Sequence, residues 1–248
     1  MKTVIIIPAR FGSSRLRGKP LYKILGREMV LRVADICAKV VNKDNLYIAT
    51  DSKKISKVTE NAKYKSIMTS SKCLTGTDRV AEAAMKVKAG IYINVQGDEP
   101  TINYKDIQCI IDAKIKYPNH VICGYDKVHK FENPKSVNLP KVVVNNSQEL
   151  IYISRAVVPG KKSVKSKVNY LKQVCIYAFN REQLKKYYIK KKKSENEKIE
   201  DIEILRFFDL NIKIKMVRLH SNSIAVDVIG DIKKAEKILI NEKKISRS

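Results

Sequence analysis

The chain has 248 residues, is 44% hydrophobic, and sets 50 Lys and Arg against 25 Asp and Glu, for a formal charge of +25. That length can bury one substantial core with a small subdomain, and no apolar run approaches the ~20 residues of a membrane-spanning helix. Only 11 of the 50 basic residues are arginine and the lysines are spread along the whole chain, so non-specific adhesion at low salt is expected rather than a specific nucleic-acid or membrane partner.

Val4 to Ile7 is an apolar run that predicts a strand buried on both faces. The chain then turns polar through Arg10 to Lys19, and Met29, Val30, Val33, Ile36, Cys37 and Val40 recur at helical spacing. Leu46 to Thr50 predicts a second strand, with Asp51-Ser52 able to cap the helix after it. Tyr64 to Met68 predicts a third strand, Thr77-Asp78-Arg79 opens a helix, and Ile91 to Val95 predicts a fourth strand ending in Gln96-Gly97-Asp98-Glu99-Pro100. A helix over 104–116 and a strand from His120 to Gly124 follow.

Beyond that point the pattern changes. Lys141 to Val144 and Leu150 to Ser154 flank a hairpin turn at Asn145-Asn146-Ser147-Gln148, and Val174 to Phe179 predicts another strand. Helices are expected over 181–191 and 199–208, then a strand from Ile212 to Arg218 and a last helix from Ile232 to Ile240 capped by Asp231. The densest basic cluster, Lys185 to Lys193, reads as a solvated helix end.

Strands alternating with helices predict an α/β fold, a Rossmann-like and mostly parallel sheet flanked by helices. The expected organisation is one domain over 1–248, with about 125–215 as a smaller mixed lobe that covers the ligand rim. Ligands bind past the carboxyl ends of such strands, so the loop at 9–19, Thr50-Asp51, Thr75-Gly76-Thr77 and Gln96 to Asp98 should share one rim. Cys37, Cys73, Cys109, Cys123 and Cys175 lack metal-type spacing and read as reduced core thiols. His120, His129 and His220 form no ligand cluster, which argues against zinc. The amino terminus enters a strand without a basic-apolar leader, so the cytoplasm is the expected location.

A strand followed by a glycine-bearing polar loop is how α/β folds build anion sites. Here Gly12 and Gly18 ease the backbone, Arg10, Arg15 and Lys19 supply cations, and Ser13 and Ser14 supply hydroxyls. The spacing is neither the Walker loop nor the three-glycine dinucleotide fingerprint. Asp98, directly after a buried strand, suits a magnesium ion shared with phosphates, while Gln96 offers both donor and acceptor to a base or sugar. Asp227, in Ser223-Ile224-Ala225-Val226-Asp227, is a second candidate ligand. From the residues alone, Asp98 equally suits a turn cap and Asp227 a plain loop position.

The run Pro8-Ala9-Arg10-Phe11-Gly12-Ser13-Ser14-Arg15-Leu16-Arg17-Gly18-Lys19-Pro20-Leu21 resembles the signature loop of the cytidylyltransferases that activate 3-deoxy-manno-octulosonate (Kdo) and related sugar acids, with Arg17 in place of the usual proline. Val95-Gln96-Gly97-Asp98-Glu99-Pro100 matches that family's second signature residue for residue. Thr75-Gly76-Thr77-Asp78-Arg79 is similar to its Ser-Gly-Thr-Glu-Arg, Ser154-Arg155-Ala156-Val157-Val158-Pro159 to its Ser-Arg-Ala-x-Ile-Pro, and Ile176-Tyr177 to its Gly-Ile-Tyr strand. Val226-Asp227 followed by Asp231 resembles its closing Val-Asp-Thr-Pro-Glu-Asp. The matches run in order along nearly the whole chain.

This resemblance implies a nucleotidyltransferase fold, a homodimer, and CTP bound by Arg10, Ser13, Ser14, Arg15, Lys19, Thr75, Arg79 and Gln96. It implies Mg2+ on Asp98 and Asp227, with Lys19 and Arg15 completing the catalytic set. Arg155, Gln173 and Tyr177 would meet an acidic 2-keto sugar, although Tyr177 equally suits the core. The expected reaction joins CTP and a 3-deoxy-2-ulosonic acid, Kdo first, into a CMP-sugar and pyrophosphate for lipopolysaccharide or surface-glycan synthesis.

Three departures stand out. Gln173 replaces the family's His, Leu205-Arg206-Phe207-Phe208-Asp209 stands for its Leu-Glu-Gln-Leu-Arg, and Val228-Ile229 for its Thr-Pro. They leave open a different acid sugar, such as an amino-Kdo or a nonulosonic acid. A nucleotide- or nucleic-acid-binding protein without catalysis is the remaining alternative, and the presence of both aspartates argues against it.

Overall fold

The computed structural model describes residues 1–12, 16–163, 165–221 and 223–245. The first apolar run forms β1 (Thr3–Ala9), in which Val4, Ile5, Ile6 and Ile7 expose no surface. Side chains alternate along a strand, so Val4 and Ile6 enter the core on one face of the sheet and Ile5 and Ile7 the core on the other. Each such side chain contributes about 1.5–3 kcal/mol by leaving water, which makes this run a central strand.

A short hairpin of β2 (Lys23–Ile24) and β3 (Arg27–Glu28) leads into α1 (Met29–Cys37). Then come β4 (Leu46–Thr50), α2 (Lys53–Asn61), β5 (Lys65–Met68), α3 (Gly76–Lys86) and β6 (Ile91–Val95). They are followed by α4 (Tyr104–Lys116), β7 (Val121–Lys127), β8 (Lys141–Val144), β9 (Leu150–Ser154) and β10 (Leu171–Phe179). The chain closes with α5 (Arg181–Lys190), α6 (Glu195–Glu200), α7 (Leu205–Asp209), β11 (Ile214–Arg218) and α8 (Ile229–Ile245).

The main sheet runs β11-β7-β10-β6-β1-β4-β5. Its pairs are parallel for β1 with β4 and β6, β4 with β5, and β7 with β11. The α/β, Rossmann-like and mostly parallel architecture is therefore as expected. β10 is the exception, lying antiparallel between β6 and β7. β8 continues from β10, and β9 hangs on β8 across the expected hairpin. Among the described residues no helix is long and apolar enough to cross a membrane.

Some local expectations are corrected. The helix expected over 199–208 is two short helices, because Asp201 turns left-handed (φ 48°) after α6. The last helix begins at Ile229 rather than Ile232. Asp231 therefore lies in its first turn, where its Oδ2 accepts the N–H groups of Asp227 (3.1 Å) and Val228 (3.2 Å). Of the five cysteines only Cys37 and Cys123 are buried, since Cys109 is exposed and Cys73 and Cys175 border the cavity described next.

Candidate active site

The loops after β1 and β6, the start of α3, the end of β9, the middle of β10 and the turn at 201–203 enclose a cavity of about 750 Å³. It brings together Arg10, Lys19, Thr75, Arg79, Gln96, Asp98, Arg155, Gln173, Tyr177 and Asp227. Ser13, Ser14 and Arg15 lie outside the described residues.

Three local devices position the charged groups. Gly18, at φ 73°, donates its N–H to the Phe11 carbonyl (2.9 Å), and Lys19 opens a 3-10 turn anchored by buried Pro20. At Gly97 a Cβ would stand 2.8 Å from the Pro8 carbonyl oxygen. The bare backbone there lets the turn after β6 close onto β1 and present Asp98. Finally, the Val226 N–H donates to the Asp98 carbonyl (2.9 Å), and the Val226 side chain is buried with Ile24, Met29 and Ala235. That small apolar cluster draws Asp227 to the rim from near the far end of the chain.

The result is a shared contact. Lys19 Nζ donates to Asp98 Oδ2 at 2.6 Å and to Asp227 Oδ1 at 3.3 Å. Two carboxylates that meet one cation in this way offer the hard oxygen donors that suit a divalent metal. Among the described residues no group of three or more His, Cys, Asp or Glu could hold one. A metal on this pair would take its remaining oxygens from phosphate and water. Beside Asp98, burial and that neighbouring charge push the Glu99 carboxyl up to about 7, opposed by a hydrogen bond from Ser223.

Arg79 is buried and committed to partners. Its Nη1 donates to Thr69 Oγ1 (2.5 Å) and its Nη2 to Asp51 Oδ2 (3.2 Å). Asp51 Oδ1 accepts the Phe11 N–H at 3.1 Å. Asp51 thus ties the polar loop to Arg79 instead of capping α2, and Ser52 makes no side-chain cap bond.

Arg155, also in the cavity lining, donates to the carbonyls of Glu200, Val137 (2.7 Å) and Asp201 (3.0 Å). Three of its five N–H groups are used and two remain. Gln173 Nε2 donates to Tyr177 Oη at 3.0 Å. Tyr177 is both a cavity wall and a member of the core, and burial holds its phenol well above the usual range.

Sequence reasoning missed Glu203. Its Oε1 accepts from Gln96 Nε2 (2.8 Å) and its Oε2 from the Thr77 N–H (2.9 Å), and burial raises its pKa. One signal was available. Moved three residues toward the amino terminus, the Leu-Glu-Gln-Leu-Arg pattern falls on Ile202-Glu203-Ile204-Leu205-Arg206 and keeps both its Glu and its Arg.

The same shift removes Arg206 and Phe207 from the departures that leave a different acid sugar open. Arg206 is 1% exposed, pairs with Asp78 and Glu197 at 2.6 Å each, and lies 3.8 Å over the Tyr187 ring. Phe207 stacks on Phe179 in the same core. Neither borders the cavity.

A cytidylyltransferase family profile matches residues 4–215. The 3-deoxy-manno-octulosonate cytidylyltransferase of Escherichia coli is 34% identical over 97% of this chain and 97% of its own length. The mitochondrial enzyme of the same name from Arabidopsis thaliana is 33% identical over 96% of this chain and 83% of its own length. A solved CMP:2-keto-3-deoxy-manno-octonic acid synthetase complexed with CTP superposes with a TM-score of 0.90, at 34% identity, covering 98% of this chain and 100% of that one. The chain belongs to the cytidylyltransferase family, among the 3-deoxy-manno-octulosonate cytidylyltransferases.

Proposed function

We propose that this protein couples CTP to Kdo, giving CMP-Kdo and pyrophosphate for lipopolysaccharide or surface-glycan synthesis. The observation that carries the reading is the meeting of Asp98 and Asp227 at Lys19, on the rim of a cavity large enough for a nucleotide and a sugar acid. The anomeric hydroxyl oxygen forms a bond to the α-phosphorus as the bond to the β-phosphate oxygen breaks. The hydroxyl proton is released and pyrophosphate leaves.

Asp98 and Asp227 would hold Mg2+, which supplies charge neutralisation at the α-phosphate and acidifies the attacking hydroxyl. Lys19, Arg10 and Arg15 would supply the cations that neutralise the polyphosphate. Ser13, Ser14, Thr75, Arg79 and Gln96 orient the nucleotide, and Glu203 holds the Gln96 amide. Arg155, through its two remaining N–H groups, meets the sugar carboxylate, and Gln173 with Tyr177 meets sugar hydroxyls. Positioning and charge neutralisation carry this chemistry, and no covalent enzyme intermediate is needed.

We assign the 125–215 stretch to the sugar side and to a homodimer contact. Support comes from β9, which among the described residues pairs with β8 alone and exposes Ile151. The cytoplasm is the matching location for a CTP-consuming step. A different acid sugar is the second reading, favoured by the Gln173–Tyr177 pair at the wall where the family has histidine. The test is pyrophosphate release from CTP with Mg2+ across a panel of sugar acids. Kdo as best acceptor supports the first reading, another acid sugar the second. CTP bound but never consumed overturns both.

A further inference from the structure

Lys19 contacts both of the aspartates that would hold a metal. Its side chain is 13% exposed, against 30% for Asp98 and 34% for Asp227, so the lysine is the most buried of the three. The backbone that presents it is held by Gly18, by the Lys19 N–H to the Leu16 carbonyl (3.1 Å), and by buried Pro20. The ammonium is 2.6 Å from Asp98 Oδ2, and a divalent cation on the same carboxylate would repel it at short range. The two cations therefore compete for the pair. The four-carbon stem of lysine can swing its charge aside without moving the backbone, but the ammonium leaves readily only if another anion receives it. A nucleotide polyphosphate is such an anion.

We propose that Lys19 is an exchangeable counter-ion. It closes the metal site of the empty protein and opens it when a polyphosphate takes over its charge, so metal and nucleotide bind cooperatively. This rests on the reading of the cavity as a CTP and metal site. By linkage, the factor by which nucleotide raises metal affinity equals the factor by which metal raises nucleotide affinity. The carboxylate pair keeps a cation in contact throughout, ammonium in the empty protein and metal in the loaded one.

The test is Mn2+ binding to the full-length protein without nucleotide, followed by electron paramagnetic resonance, for wild type, Lys19→Met and Lys19→Arg. A fixed cation beside a carboxylate shifts its affinity for a competing cation by about tenfold or more. Lys19→Met should therefore bind Mn2+ about tenfold more tightly than wild type, and Lys19→Arg no more tightly. CTP titrations with and without Mg2+ should show strong coupling in wild type and weakened coupling in Lys19→Met. Thermal unfolding checks that each variant is folded, and a collapse of Lys19→Met moves the comparison to Lys19→Gln. Equal Mn2+ affinity in wild type and the neutral variant overturns the exchange while leaving the transferase reading intact. CTP that binds neither protein, with or without metal, overturns the reading beneath it and the exchange together.

Discussion

The amide of Gln96 and the carboxylate of Glu203, 107 residues apart in the chain, meet at 2.8 Å on the cavity wall. The other oxygen of Glu203 takes the Thr77 N–H in the first turn of α3. One side chain therefore sets the orientation of Gln96 and the placement of a helix start that borders the same cavity. Glu203→Ala should lower kcat/KM by about 10- to 100-fold, the value of a lost hydrogen bond to a charged group. Steady-state kinetics with a folded variant checks this, and an unchanged kcat/KM would remove Glu203 from the site.

Asp98→Asn and Asp227→Asn should each lower kcat by about a hundredfold or more, on the order of 3 kcal/mol. Combining them should cost little beyond the worse single change, because both act on one cation. Additive losses in a double-mutant cycle would mean that the two carboxylates work separately.

Arg206 is a buried cation between two buried carboxylates, Asp78 and Glu197. Arg206→Ala should cost about 3–5 kcal/mol of stability by leaving both carboxylates uncompensated. Urea unfolding measures this. Arg206→Met combined with Asp78→Asn and Glu197→Gln should recover most of the loss, and failure to recover would point to packing on Tyr187 as the dominant contribution.

Gly97→Ala places a Cβ 2.8 Å from the Pro8 carbonyl, where backbone must yield. The expected cost is about 1–3 kcal/mol, together with lower kcat as Asp98 shifts. A variant with wild-type melting temperature and turnover would show that the β1–β6 junction tolerates the methyl group.

Lys114 is buried at the end of α4, with its Nζ donating to the Pro118 carbonyl (2.9 Å), the His120 carbonyl (2.5 Å) and Gln183 Oε1 (2.8 Å). Burial pushes its pKa from 10.5 down to about 7. Below about pH 7 both states are charged and the folded form carries the full burden of the buried cation. Between there and the unfolded value the unfolded chain holds a proton that the folded form releases, so stability rises with pH by at most ~1.4 kcal/mol per unit. Urea unfolding of wild type and Lys114→Met from about pH 6.5 to 10 should show wild type gaining on the variant as pH rises. A constant difference would sink this account.

What could be read along the chain was what neighbouring residues decide. The apolar run of β1, the cationic glycine loop, and the Gln96 to Pro100 turn each declare themselves within a few positions, because burial, backbone freedom and charge are local there. The break between α6 and α7 was not legible, since the turn at Asp201 and Glu203 is held by Gln96 and Thr77 from distant elements. Asp51 looked like a cap from its neighbours and is instead claimed by Phe11 and Arg79. Arg206 looked like a substrate-side residue and is instead held by Asp78, 128 residues away.

The sequence by itself determined an α/β sheet with an anion-binding loop at its rim and carboxylates suited to a metal. Only the tertiary structure decided that Lys19 reaches both Asp98 and Asp227, that Glu203 steers Gln96, and that Arg155 spends most of its donors on backbone. The reason is that a side chain's chemistry travels with its residue, whereas its partner depends on which loops the packed core brings within about 3 Å of each other.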